Sequence, residues 1–133
     1  WPLLDPPDHF VAAYGTGGTL TGNSRGLRKV YPEIEIHSAE EFSCDPISGM
    51  RSQEDPFQPP VADLSLVGHR WQVESHLATK TVADLMAAEG HFAGTSSGAV
   101  IMAAQLALEK HGGSAVALLP DSGWKYLDGD PWK

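Results

Sequence analysis

The sequence has one cysteine, few basic residues and no long apolar run, and each shortage excludes a class of protein. A lone cysteine, Cys44, cannot form an internal disulfide and suits a reducing cytoplasm. Nine Lys and Arg against 17 Asp and Glu give a formal charge of -8, which argues against nucleic acid and anionic membranes as partners. No apolar segment approaches the ~20 residues of a membrane span, and no signal peptide is visible.

Two further kinds of site find no support in the sequence. No Gly-x-Ser-x-Gly elbow of a serine hydrolase is present, and the serines of Thr95-Ser96-Ser97 are better explained as helix caps. The histidines have no metal-ligand spacing and no acidic or cysteine cluster between them, so no zinc or iron site is predicted. They are His9, His37, His69, His76, His91 and His111.

A glycine-rich stretch near the start of the chain is the strongest local signal. Tyr14-Gly15-Thr16-Gly17-Gly18-Thr19-Leu20-Thr21-Gly22 follows the apolar run Phe10–Ala13 and precedes a segment with helical spacing. Free backbone N–H groups at the amino end of a helix favour an anion, most often a phosphate. The glycines let the backbone approach the ligand closely, and the threonines offer hydroxyl donors.

The stretch matches neither of two familiar phosphate loops. A P-loop requires Lys-Ser/Thr after its last glycine, and Gly22 is followed by Asn23-Ser24. The dinucleotide fingerprint requires a glycine at position 20, where Leu20 stands. Taken alone, the stretch can also be a turn that merely connects a strand to a helix.

The remaining periodicity predicts an α/β fold of three layers, an open and mostly parallel sheet with flanking helices. Continuous apolar character in the first strand is typical of a parallel sheet covered on both faces. The predicted strands are His9–Tyr14, Glu33–Ser38, His69–Glu74 and Ala115–Leu119. The predicted helices are Thr19–Val30, a helix capped by Ser75 and closed by Gly90, and Gly98–Lys110.

Prolines mark the segments outside this pattern. Pro2, Pro6 and Pro7 indicate that Trp1–Asp8 is a linker. Residues 41–63 form a long loop, and long loops in compact domains are usually functional or disordered. With 133 residues and 41% hydrophobic content, the chain is predicted to be a single domain, residues 1–133.

Three motifs together resemble the cysteine synthase and cystathionine β-synthase family of fold-type-II pyridoxal-phosphate enzymes. The glycine stretch, with Arg25 and Leu27, is similar to the family's phosphate loop. Glu89-Gly90-His91-Phe92-Ala93-Gly94-Thr95-Ser96-Ser97-Gly98-Ala99 is similar to its "EEGIFAGxSSGA". Pro120-Asp121-Ser122-Gly123-Trp124-Lys125-Tyr126-Leu127 is similar to its C-terminal "PxSGxRYL". The motifs follow the family's order and spacing, and the resemblance extends from about Pro7 to Leu127.

The resemblance implies pyridoxal 5'-phosphate as the cofactor and assigns residues to it. The pyridine nitrogen is assigned to Ser122, with the adjacent Asp121 as the alternative. A neutral hydroxyl at this nitrogen makes the ring a weaker electron sink than a carboxylate would, which suits β-elimination and β-replacement. The cofactor phosphate is assigned to Gly15, Thr16, Gly17, Gly18 and Thr19.

Arg51 is the candidate substrate-binding residue. The segment Gly49–Pro59 resembles the family's "GIxxGFxP" region but lacks its second glycine, since Glu54-Asp55-Pro56 precede Phe57. An arginine in this place resembles the branch that uses O-phosphoserine, where a bidentate donor receives the substrate phosphate. The alternative is a solvated arginine beside Glu54 and Asp55.

The resemblance also implies what this chain does not supply. The sequence begins at Trp1, where the family's chain is past its midpoint, so it is expected to correspond to the C-terminal, phosphate-binding part, without the half that carries the Schiff-base lysine. None of its lysines lies in that motif, and no catalytic residue is assigned. The expected reaction of the complete enzyme is β-replacement on O-acetyl- or O-phospho-L-serine by a sulfur nucleophile, in a homo-oligomer.

Two alternatives stay open. The first is a related chemistry, such as cystathionine formation or serine/threonine dehydration, which would keep the same three motifs. The second is a subunit of a split enzyme, or a non-catalytic fragment that binds a partner. Either way, the missing half or a second subunit is the expected partner.

Overall fold

A four-stranded parallel sheet forms the middle layer of the computed structural model, which describes residues 5–129 and 132. Its strand order is β3-β2-β1-β4, and all three neighbouring pairs are parallel. The strands are β1 (His9–Ala13), β2 (Glu35–Glu41), β3 (His69–Val73) and β4 (Ala115–Ala117). The helices are α1 (Gly18–Val30), α2 (Ser75–Glu89) and α3 (Thr95–His111), with 3-10 turns at Leu64–Leu66 and Gly123–Tyr126.

Side chains from the two faces of the sheet enter two separate cores. Alternate residues of a strand point to opposite faces, so Val11 packs toward α2 and α3 while Phe10 and Ala12 pack toward α1. Leu20 of α1 lies in the second core, and Ala99 of α3 in the first. The predicted fold class is therefore confirmed, including the continuous apolar strand between two covered faces.

Two predicted helix caps are wrong. Ser75 is the first helical residue of α2, and Glu74 occupies the cap position in extended conformation. The cap of α3 is Gly94, and no side chain caps that end, so the hydroxyls of Thr95, Ser96 and Ser97 do not have the predicted role. The predicted closure of α2 is confirmed, because Gly90 takes the left-handed conformation with φ of 73°.

Strand β2 begins and ends later than predicted, and its last residues are polar but buried. The sequence predicts a strand from Glu33 with its end near Ser38-Ala39-Glu40, whereas β2 extends from Glu35 to Glu41. The Glu40 side chain is 0% exposed and forms an ion pair with Arg70 on β3, with 2.8 Å between Arg70 Nη2 and Glu40 Oε2. A sequence-based prediction can continue a buried strand through an acidic residue only when the partner of that residue on the neighbouring strand is known.

Outside the sheet, the predicted irregular segments are confirmed where they are described. Residues 42–63 contain no helix or strand apart from a bridge between Phe42 and Asp45, and residues 5–8 are irregular. The beginning of the predicted linker, residues 1–4, lies outside the described residues. Among the helices of residues 5–129, none combines the length and the hydropathy that crossing a membrane demands.

A carboxylate from the long loop closes the amino end of α2. Asp45 Oδ2 accepts from the backbone N–H of Ser75 at 2.6 Å, and Asp45 Oδ1 accepts from the Ser75 hydroxyl at 2.5 Å. Both hydrogen bonds favour the charged carboxylate, and they lower the pKa of Asp45 below its ordinary value of 3.8. The bond from the Ser75 hydroxyl has the larger effect, and the bond from the Ser75 backbone N–H has the smaller one. The loop thus supplies the cap that Ser75 was predicted to provide.

We expect the variant Asp45→Asn to have a lower midpoint of urea unfolding than the native chain at neutral pH. Because the pKa of Asp45 is lowered on folding, its contribution is present above pH 3.8 and is lost as the pH falls through the folded value. The difference between the two proteins should therefore shrink below pH 3.8. Urea unfolding of both proteins, monitored by circular dichroism at neutral pH and below pH 3.8, measures the difference between their midpoints. A difference that is independent of pH would contradict the role of the charged Asp45 carboxylate at the end of α2.

Candidate functional site

The glycine-rich loop lies between the carboxyl end of β1 and the amino end of α1, as predicted. Gly17 is the residue before the helix and has φ of 82°, a left-handed conformation that disfavours side chains. No side-chain hydrogen bond caps this end, and no acidic residue lies in the first turn. The positive end of the α1 dipole is therefore available to an anion.

Two close approaches explain why the loop contains glycine. A Cβ on Gly15 would lie 2.7 Å from the carbonyl oxygen of Gly49, and a Cβ on Gly17 would lie 2.4 Å from the Cβ of Ala62. Neither side chain fits without movement of the neighbouring backbone. The loop at residues 42–63 thus packs against the glycine turn and fixes its shape.

A cavity of about 190 Å³ opens at the glycine loop. It is lined by Gly15, Thr16, Gly17 and Thr19, and on other sides by Ala13, Gly49, Ser96, Leu118 and Pro120. This volume corresponds to roughly six water molecules, which is enough room for a phosphate group. Gly18, the remaining one of the five predicted loop residues, starts the helix but does not line the cavity.

The amino end of a second helix contributes to the same cavity. Ser96, in the first turn of α3, lines it, and no side chain caps α3 or places a negative charge in its first turn. The adjacent Ser97 is fully buried, and its hydroxyl has no hydrogen-bond partner within residues 5–129. Ser97 does not line the cavity, so this unpaired donor belongs to the helix end and not to the cavity wall. The cavity thus fits an anion, and the sequence missed Ser96 because it assigned the serines to capping.

Ser122 follows β4 at the same edge of the sheet but is not part of the cavity wall. Its Oγ donates to the carbonyl oxygen of Phe92 at 3.1 Å, and its backbone bridges to Ala93. A hydroxyl has one proton, so in this arrangement Ser122 still offers its lone pairs to a second group.

The adjacent Asp121 contacts Tyr126 and the amino end of α3. Its Oδ2 accepts from the Tyr126 hydroxyl at 2.5 Å, and its backbone carbonyl accepts from Gly94 N–H at 3.1 Å. Its Oδ1 would lie 2.1 Å from a Cβ on Gly94, the residue before α3. The carboxylate is therefore held against the positive end of α3 by groups of this chain, a favourable place for a negative charge.

Arg51 is connected to the glycine loop through its backbone. Its N–H donates at 2.8 Å to the carbonyl oxygen of Tyr14, the residue before Gly15. Its guanidinium lies 5.8 Å from the centre of the Phe57 ring, a cation–π contact. In the part of the chain that the structure covers, no carboxylate lies within 4.0 Å of this guanidinium, so Glu54 and Asp55 do not neutralise it.

Comparison with known families gives one match over most of the chain. The family model described as "Pyridoxal-phosphate dependent enzyme" matches residues 2–121. O-ureido-L-serine synthase of Streptomyces lavendulae is 36% identical over 133 aligned residues, which cover 90% of this chain and 40% of that protein. Cysteine synthase B of Salmonella typhimurium is 35% identical over 120 residues, again covering 90% of this chain and 40% of that protein.

Solved structures give the same result at the level of the fold. The crystal structure of cysteine synthase from Entamoeba histolytica superposes with a TM-score of 0.82 at 25% identity, covering 92% of this chain and 39% of that one. The crystal structure of O-ureido-L-serine synthase gives a TM-score of 0.78 at 35% identity, covering 91% of this chain and 41% of that one. The chain thus spans about 40% of the length of the curated relatives that it matches.

Proposed function

Since this chain belongs to the family of pyridoxal-phosphate dependent enzymes, we propose that residues 15–19 bind the phosphate of pyridoxal phosphate. The observation that carries the proposal is the cavity of about 190 Å³ at which the amino ends of α1 and α3 meet. The uncapped end of α1 directs partial positive charge and backbone N–H groups at this volume, and the end of α3 adds donor groups although the Asp121 carboxylate offsets part of its positive charge. Thr16, Thr19 and Ser96 add hydroxyl donors to the wall.

When bound, pyridoxal phosphate withdraws electrons from an amino-acid substrate, so that a leaving group can depart from its β-carbon. In the proposal Ser122 contacts the pyridine nitrogen. Its neutral hydroxyl does not hold that nitrogen protonated as a carboxylate would, which favours β-replacement over transamination. Tyr126 binds Asp121 through Oδ2 only, and the buried Oδ1 has no hydrogen-bond partner among the described residues, so the choice of Ser122 depends on its place in the motif.

Arg51 is proposed to bind the leaving group of the substrate. Its guanidinium has no carboxylate partner within ion-pair distance in the described ranges, and its backbone is fixed beside the glycine loop. A planar donor fork of this kind matches a phosphate better than an acetyl group. This supports an O-phospho-L-serine substrate over an O-acetyl-L-serine substrate.

The complete reaction is proposed as the formation of cysteine or a related amino acid by β-replacement with a sulfur nucleophile. This chain would be the C-terminal, phosphate-binding part of the site, and the Schiff-base lysine would come from a segment outside residues 1–133 or from a second subunit. A homo-oligomer in the cytoplasm is part of the same proposal. Cystathionine formation and dehydration would use the same cavity, and only substrate tests on a complete enzyme separate them.

We expect the purified chain to bind pyridoxal phosphate, and the variant Thr19→Asp to bind it roughly tenfold or more weakly, because two anions would meet in the cavity. An acidic residue in the first turn stabilises a helix, so the variant should remain folded. The matched control is Asn23→Asp, which places the same charge one turn later on α1, outside the cavity wall. Equilibrium dialysis measures both affinities.

Two further controls separate phosphate binding from other binding. Pyridoxal, which lacks the phosphate, should bind weakly and be insensitive to Thr19→Asp. Borohydride reduction followed by intact mass should label no specific lysine. Equal affinities of the Thr19 and Asn23 variants would disprove the assignment of the cavity, and a single labelled lysine would disprove the assignment of that lysine to another segment.

A further inference from the structure

Four histidines and a glutamate gather at the amino edge of the sheet, opposite the cavity. His9, Glu35 and His69 begin β1, β2 and β3, His37 lies on β2, and His111 ends α3. The ring centres of His69 and His111 are 4.5 Å apart, and those of His37 and His69 are 4.8 Å apart. Parallel strands bring these residues together although they are far apart in the sequence.

The two innermost histidines already have partners at all their ring nitrogens. Trp71 Nε1–H donates to His37 Nδ1 at 3.0 Å, so the proton of a neutral His37 is on Nε2, which lies 3.0 Å from His9 Nδ1. His9 Nε2–H then donates to the carbonyl oxygen of Gly112, also at 3.0 Å. Each group in this series donates to the next, from Trp71 through His37 and His9 to Gly112, so every ring nitrogen has a partner. His9 and His37 therefore support the cluster and are not free to bind a ligand.

The outer three residues have ligand atoms that converge. One atom each from Glu35, His69 and His111 lies within 4.8 Å of the others, and Glu35 Oε2 is 3.2 Å from His69 Nε2. Their side chains reach solvent, with Glu35 46% and His69 31% exposed. Two imidazoles and one carboxylate form a donor set that binds zinc and similar divalent transition metals.

Two buried imidazoles lie beside the carboxylate. Glu35 Oε2 is 3.6 Å from His9 Nδ1 and 3.8 Å from His37 Nε2, beyond hydrogen-bond distance, so neither ring nitrogen donates to it. A groove of about 590 Å³, lined by His9, Glu35 and His111 among others, gives access from solvent.

From this geometry we propose that Glu35, His69 and His111 bind one divalent transition-metal ion of the zinc class, with a coordination position open to the groove. The site lies at the edge of the sheet opposite the glycine loop, so it is separate from the proposed cofactor site. The absence of a metal site was predicted from linear spacing alone. That argument does not apply to ligands at positions 35, 69 and 111, which only the parallel sheet brings together.

The test is a titration of the untagged, metal-free chain with zinc in competition with a chromogenic chelator. We expect one ion per chain, and at least a tenfold loss of affinity in each of Glu35→Gln, His69→Gln and His111→Gln. The matched controls are His76→Gln and His91→Gln, which change exposed histidines outside the cluster and should bind zinc as the native chain does. Substitution with cobalt(II) should give the absorption bands of a low-coordinate nitrogen and oxygen site.

Each other outcome overturns the proposal. These are the lack of stoichiometric binding, native affinity in the three cluster variants, or an equal loss in the His76 and His91 variants. Circular dichroism verifies that each variant is folded. Because the two sites are at opposite edges, the cluster variants should bind pyridoxal phosphate as the native chain does, so a failure of one proposal leaves the other testable.

Discussion

Replacing Arg70 with methionine is expected to lower the free energy of unfolding by about 1–3 kcal/mol, because it removes the counter-charge of the buried Glu40 carboxylate at a place that is partly open to water. Arg70 reaches both oxygens of Glu40, with Nε at 3.1 Å from Oε1 and Nη2 at 2.8 Å from Oε2. The Glu40 side chain is 0% exposed but that of Arg70 is 40% exposed, so water can enter part of the space that the guanidinium leaves and offset part of the loss. Urea unfolding at neutral pH measures the loss.

The partners that remain around Glu40 do not neutralise it. Ser38 Oγ donates at 2.6 Å and the Gln53 backbone N–H donates at 3.0 Å, but both groups are uncharged. The double variant Glu40→Gln with Arg70→Met removes both charges and should be more stable than Arg70→Met alone, since the penalty arises from the unpaired charge. If the double variant is less stable than the single one, the penalty comes from lost packing instead.

The matched control is Arg25→Met, which breaks an ion pair on the surface. Arg25 Nη2 lies 2.9 Å from Asp63 Oδ2, and the two side chains are 62% and 32% exposed. Exposed pairs contribute ~0–1 kcal/mol, so this variant should unfold almost as the native chain does. Equal losses in the two arginine variants would contradict the distinction between a buried and an exposed pair.

The sequence predicts features that depend on neighbours in the chain. The β1 strand, the glycine turn and α1 follow one another directly, so apolar character, glycine and helical spacing are sufficient to predict them. The turn at Gly90 is equally local. The resemblance of three motifs then supplies the cofactor, which no local pattern gives.

Features formed by distant residues were missed for a common physical reason. Glu40 and Arg70, like Asp45 and Ser75, are 30 positions apart in the sequence and meet only when β2, the loop and β3 are in place. A prediction from the sequence therefore treats an acidic residue in a strand, or a serine before a helix, as if it had no partner. The histidine cluster at the amino edge is the extreme case, because its ligands come from three separate elements.

Fully buried His37 illustrates how the fold changes the chemistry of such residues. Burial, and next the neighbouring His69 and His9, lower the pKa of His37 to about 4 from an ordinary value of 6.5. A histidine outside a folded protein titrates near pH 6.5. The structure instead assigns to it a neutral ring that accepts from Trp71.

Substituting alanine for Gly98 is expected to destabilise the chain by about 3 kcal/mol, because α2 and α3 are in contact at this residue. A Cβ on Gly98 would lie 2.0 Å from the carbonyl oxygen of Ala78 and 2.8 Å from its carbonyl carbon. These are backbone atoms of α2, so relief requires the two helices to separate. Urea unfolding measures the effect.

Gly26→Ala is the matched control, since Gly26 lies inside α1 and a Cβ there would have no neighbour within 4 Å. The same substitution should stabilise the chain by ~0.5–1 kcal/mol, because alanine favours a helix and restricts the unfolded chain. Opposite signs for the two variants separate helix packing from helix propensity. A neutral or stabilising Gly98→Ala would show that α2 moves away without cost.

The packing at Gly98 also connects the fold to the proposed function. Gly98 lies two residues after Ser96, which lines the cavity at the amino end of α3. Separation of α3 from α2 would displace that helix end from the glycine loop and remove the donor groups that it contributes to the cavity. Gly98→Ala should therefore weaken the binding of pyridoxal phosphate under conditions in which the variant is still folded, whereas Gly26→Ala should leave it unchanged. Equilibrium dialysis on both variants measures this, and unchanged affinity in folded Gly98→Ala would mean that α1 alone provides the phosphate site.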